Sequence, residues 1–276
     1  MGVTRVTDVP SRLRLVTDTS PASWLEEEMG DFDADVRALL PGRFDAYARI
    51  LHPADSPRGE PVPWHEVARW TGRSMHPRVQ FKALARPASG AGDGPPPWDE
   101  PPERGELPQP MLSALCAVLA RHTGTAERCW FCLWDGWAWI ADTTSSMVLL
   151  EAMPDASGPQ RPGQEAEAAV APAFDDMPRV RLPWRDYVLF EGPLDAATEL
   201  GERTAGFFCP QSPNLFWPAD RSWCVATDID FDSTYVGGPP RLIGDLLGDP
   251  VLESVRVEPT DPIDEDSDQI NGPSAR

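Results

Sequence analysis

Apolar and polar positions follow two different rhythms along this chain, and each rhythm predicts its own kind of element. In residues 44–51, Phe-Asp-Ala-Tyr-Ala-Arg-Ile-Leu, strand formers stand together. His52-Pro53 closes that run, because proline cannot donate into a central ladder, and the segment reads as a first strand. Pro63 and Gly72 sit where a helix starts and stops, so 64–70 reads as a short helix. Leu112, Leu115, Cys116, Val118 and Leu119 recur at helical spacing and predict a buried helix ending near Gly124. An earlier helix is expected after Pro21, carrying Trp24, Leu25, Val36, Leu39 and Leu40 and broken at Gly30. Strands are expected at 147–153, 186–190, 222–231 and 251–257, and helices at 195–203 and from Pro239-Pro240 onward.

Residues 129–141 are the densest aromatic stretch. Two apolar runs flank Asp135-Gly136, a pair suited to a tight type I′ turn, and this predicts a β-hairpin. Side chains alternate along strands, so Trp130, Trp134, Trp137 and Trp139 would share one face. That face reads as core, with Trp134 and Trp137 as the place to seek a stacking platform for a ligand.

Together these elements predict an α+β fold: a central, mainly antiparallel sheet with a Trp-rich hairpin, packed by a few helices. An N-terminal segment with a helix spans 1–42, and one domain spans 43–258. Proline-rich and Gly/Ala/Glu-rich stretches near 86–110 and 154–178 read as mobile insertions, and 259–276 as a disordered acidic tail.

Composition narrows the function classes. The chain has 276 residues with a formal charge of −20, its 24 basic residues being outnumbered by 44 acidic ones. Phosphate backbones need clustered cations, so nucleic acid is not an expected partner, and a basic protein suits this surface better. No stretch has the apolar length to span a bilayer and no signal peptide core is visible, which predicts a cytoplasmic protein without a membrane partner. Five cysteines in that compartment are expected to be free thiols. Cys129 and Cys132 form a CxxC, but strand positions three apart face opposite ways, so a structural role is expected rather than a metal or redox one.

Catalytic motifs are scarce. There is no P-loop, G-x-G-x-x-G or G-x-S-x-G, and no cofactor or catalytic residue is expected. Asp228, Asp230 and Asp232 alternate with Ile229 and Phe231; in a strand they would align three carboxylates able to hold Mg²⁺, or simply form a solvated face. The run Asn-Leu-Phe-Trp-Pro-Ala-Asp-Arg at 214–221 has the composition of a binding loop, with Trp217, Asp220 and Arg221 as anchors.

At 129–139, 185–194 and 214–238 the chain resembles a family of acidic proteins from high-GC Gram-positive bacteria, over most of 43–258. That resemblance rests on the tryptophan-rich run and on Trp-Pro-Ala-Asp-Arg followed by Ile-Asp-Phe-Asp-Ser-Thr. It implies no activity and no residue roles. In size, acidity and single-domain build the chain is also similar to immunity proteins, which neutralise toxins of neighbouring cells. The expected function is a non-catalytic binding or regulatory protein that captures a basic partner. The alternative is a metal-dependent hydrolase or transferase using the three aspartates, with His52 or His65 as base.

Overall fold

The computed structural model describes residues 12–29, 35–141, 174, 177–204 and 207–272. The strand expected at 147–153, and nearly all of the insertion expected at 154–178, lie outside the described residues.

Among the described residues nine strands build one antiparallel sheet. In chain order they are β1 (Arg14–Leu15), β2 (Ala46–Leu51), β5 (Cys129–Trp134), β6 (Val180–Arg181), β7 (Asp186–Gly192), β10 (Leu215–Pro218), β11 (Cys224–Ala226), β12 (Ser233–Gly238) and β13 (Ser254–Val257). The spatial order is β1-β7-β5-β10-β11-β12-β2-β13, and β6 shares with β1 the outer edge of β7. Two separate ribbons pair β3 (Ala54–Asp55) with β4 (Pro61–Val62), and β8 (Gly201–Thr204) with β9 (Phe207–Pro210). The α+β class expected from the sequence is the observed one.

Strand alternation sorts the side chains into two cores. One face of the sheet presents Ala48, Ile50, Phe131, Leu133, Phe190, Phe216 and Val236 to helices α4 (Gln109–Leu119) and α6 (Pro240–Leu247). The other presents Tyr47, Trp130, Cys132, Leu189, Trp217 and Tyr235 to the N-terminal segment, where Trp24 and Leu25 of α1 (Ser23–Glu28) join Val36, Leu39 and Leu40. A third cluster lies under α2 (Trp64–Thr71) and α3 (Phe81–Leu84). The described residues between 12 and 42 therefore supply both an edge strand and the cover of one sheet face. Cys129 and Cys132 fall in opposite cores, as their strand spacing requires, and all five cysteines are free.

The hairpin at 129–141 does not form. Strand β5 pairs with β7 on one side and β10 on the other, in register Trp130 with Glu191 and Trp130 with Trp217. Both of its edges are occupied, so the residues after Gly136 cannot return along it; they turn into a short helix, α5 (Ala138–Ala141). The four tryptophans consequently divide: Trp130 and Trp134 pack in the second core, Trp137 and Trp139 in the first.

Further expectations change: the helix expected at 195–203 is a 3-10 helix over Leu194–Glu199 only, because β8 begins at Gly201. The strand at 222–231 is only Cys224–Ala226, and no local pattern announces the central β12, whose Gly237-Gly238 reads as loop. Those glycines are there for close packing: a Cβ on Gly237 would lie 2.5 Å from the Phe44 ring, and one on Gly238 2.7 Å from Leu242. Residues 259–272 are not a disordered tail. Ile263 is buried in the second core, and Asp268 is buried against Gln80 and His76. The stretch 86–110 lacks regular structure before Gln109 but is fastened to the body, through Trp98 against Trp70 and Phe81 and through Gly105, which donates to the Phe231 carbonyl.

Candidate functional site

The site lies where the ends of β5, β7 and β11 meet. Strands β6 and β7 are joined by a two-residue turn, Pro183-Trp184, closed by the backbone pair Leu182 and Arg185. Proline presets the turn geometry and the strands on either side hold it, so Trp184 stands at the tip, 65% exposed. Arg185 points back along the sheet. Its guanidinium lies over the Trp134 ring at 5.5 Å from the centroid, a cation–π contact. It donates to both oxygens of Asp228, at 2.9 and 3.1 Å, and to Asp230 at 2.6 Å. Burial works against the charge on Arg185, but the bonds from Asp228 and Asp230 outweigh it and raise its pKa.

The aspartates are not on a strand face. Asp228 begins a turn in which the Phe231 amide donates to its carbonyl and the Asp230 amide donates to its side chain. The turn lies between β11 and β12, and a three-carboxylate face cannot exist there. Asp228 and Asp230 clamp Arg185, whereas Asp232 faces the buried Arg49 at 3.4 Å. Two arginines thus divide the trio. Among the described residues no group of three or more His, Cys, Asp or Glu is arranged to hold a metal ion.

Asn214 locks this corner. Its Oδ1 accepts from the Trp134 amide and from Trp137 Nε1, each at 2.9 Å, and its Nδ2 donates to the Thr227 carbonyl. One buried side chain therefore ties the end of β5, the turn into α5 and the end of β11. Between these parts lies a cleft of about 100 Å³, lined by Leu39, Trp184, Tyr187, Asp228, Asp230 and Phe231 among others. It has room for a side-chain head group.

The other expected anchors do not come here. Trp217 is fully buried at the centre of the sheet and cannot be a surface anchor. Asp220 ties two loops together, accepting from the Thr123 hydroxyl and the Gly124 amide. Arg221 adopts a positive φ of 54° and lies over Trp24 at 5.4 Å. His65 pairs with Glu253, and both ring nitrogens of His52 are taken, by Glu103 and Thr234; neither ring serves the aspartates as a base. Sequence reasoning missed Trp184, Arg185 and Asn214. The Pro-Trp-Arg run between two strand patterns was the available signal for the first two.

Searches of protein-family models, curated proteins and solved structures each find no match to this chain. No helix among the described residues is long and apolar enough to cross a membrane.

Proposed function

We propose that this is a non-catalytic binding or regulatory protein of the cytoplasm, and that it captures a basic protein partner through the face around Trp184. One observation carries the reading: the 65% exposed Trp184 stands on a strand-anchored turn beside Asp230, whose carboxylate is fixed by Arg185 yet remains 69% exposed. A tryptophan on a strand-anchored turn loses little freedom on binding, and Trp is among the residue types enriched as interface anchors. A partner's arginine or lysine can approach the outer side of Asp230 without displacing Arg185. The surplus of acidic residues supports a basic partner of the kind an immunity protein meets, and five free cysteines fit a reducing compartment. The metal-dependent reading needs three converging aspartates, and these are divided between two arginines.

The test is selection from a displayed peptide library. The protein should enrich Arg- or Lys-containing peptides, Trp184→Ala should weaken their binding by about tenfold or more, and Asp230→Asn should mainly slow association. Equal binding by wild type and Trp184→Ala, or enrichment of no basic peptides, overturns the proposal.

A further inference from the structure

A second cleft, of about 450 Å³, lies on a different part of the molecule between α3, the loop at 101–104 and the C-terminal segment. Its volume is in the range of small-molecule sites. In a chain so rich in acid, three cations line it: Lys82, Arg86 and Arg104, of which Lys82 is the only lysine in the protein. Phe81, Ala85, Pro101 and Pro102 form apolar wall around them.

Two carboxylates also line the cleft, and both are engaged. Asp232 faces Arg49, which is 3% exposed. Glu265 bridges two of the cations, accepting from Arg104 at 3.1 Å and from Lys82 at 3.4 Å. These bonds, Arg104's first, hold its carboxyl below the usual range. Lys82 and Arg104 are thus already placed to grip an anion, and Glu265 demonstrates the grip from within the chain. Lys82 and Arg104 bring two positive charges to the one carboxylate between them. A phosphate group, carrying about −1.5 to −2 at neutral pH with three acceptor oxygens, balances that pair better than another monocarboxylate.

We propose that this cleft binds a small phosphate monoester with an apolar body, and that Glu265 is a tethered competitor for the same cations. The phosphate replaces the Glu265 carboxylate between Lys82 and Arg104, and the apolar body lies against Phe81 and the two prolines. Asp268 anchors the segment independently, so only the Glu265 side chain needs to move.

The probe is phenyl phosphate, titrated calorimetrically into the full chain at constant ionic strength, with benzoate as the comparison. Because Lys82 is the sole lysine, ¹⁵N-lysine labelling gives one amide resonance that reports on the cleft directly. Phenyl phosphate should shift that resonance and bind more tightly than benzoate. Glu265→Gln should tighten binding about fivefold or more by removing the competitor, and adding Lys82→Gln and Arg104→Gln to it should abolish that gain. The proposal is overturned if neither wild type nor Glu265→Gln binds, if Glu265→Gln binds more weakly, or if loss of both cations leaves the affinity unchanged. All substitutions are at half-exposed side chains, so the fold, checked by melting temperature, is expected to survive them.

Discussion

At the scale of single residues, burial decides protonation. His52 is fully buried; its Nδ1 donates to the Glu103 carbonyl at 3.0 Å, which leaves Nε2 to accept from the Thr234 hydroxyl at 2.9 Å. Burial lowers its pKa to about 4, so the ring is neutral in the fold. The unfolded chain binds a proton near pH 6.5, and the stability held by neutral His52 is lost as pH falls from there through 4. Glu106 has the opposite sign. Burial first, and the charge of Glu103 second, raise its pKa to about 7. Its folded form binds the proton more tightly than the unfolded one, so the associated stability is complete below about pH 4.5 and is lost as pH rises through 7. Glu106→Gln should therefore gain on wild type between pH 4.5 and 8, by on the order of 1 to 2 kcal/mol after allowance for its partial exposure. Urea unfolding at the two pH values checks this; a constant difference between the proteins would contradict it.

At the scale of elements, Gly136 tests why the turn after β5 has the form it has. Its φ is not among the positive ones, so the reason for glycine is not a type I′ turn. A Cβ there would stand 2.1 Å from the Trp134 ring, the ring on which Arg185 rests. Asparagine, which tolerates positive φ, should consequently be no better than alanine: both Gly136→Ala and Gly136→Asn should cost about 1 to 3 kcal/mol in chemical denaturation. A neutral Gly136→Asn would restore the turn explanation. The C-terminal segment depends on Asp268, which is 1% exposed and accepts from the amides of Gln80 and Asn271, from Asn271 Nδ2 and from His76 Nε2. Asp268→Ala leaves buried donors without an acceptor and should cost about 2 to 3 kcal/mol. Limited proteolysis should then cut within 259–272 before the rest of the body, whereas the wild-type segment should resist; equal cutting in both would show that Asp268 is not the anchor.

At the scale of the whole molecule, the charge of −20 bears on the encounter in the proposed capture of a basic partner rather than on the fold. Screening shortens the reach of surface charge to about 8 Å at physiological ionic strength, so association of the selected basic peptides should slow as salt rises. Dissociation should instead follow Trp184, whose contact is short-ranged and apolar. A salt-independent association rate would remove charge from the proposal while leaving Trp184 to be judged by its own substitution.

How much of this was legible in the sequence depended on how local each signal was. Strand β2, helices α2, α4 and α6, and the core of β7 follow from periodicity, proline and glycine placement within a few residues. The sequence alone also determined the α+β class, the free thiols and the opposite faces of Cys129 and Cys132. Pairing partners were not local. The Trp-rich run looks like half of a hairpin, and only the arrival of β7 and β10, about 60 and 85 residues downstream in register, fills both edges of β5 and forbids it. The candidate site shows the same division. Trp134, Asp228 and Asp230 stand out by residue type, but nothing near them announces Arg185, which meets Asp228 across 43 residues of chain and turns a would-be metal site into an arginine clamp. Burial likewise belongs to the tertiary structure: Trp217 and Trp184 are the same residue type next to proline, yet one lies in a central strand and the other at an edge turn, and only that position separates a core residue from a surface anchor.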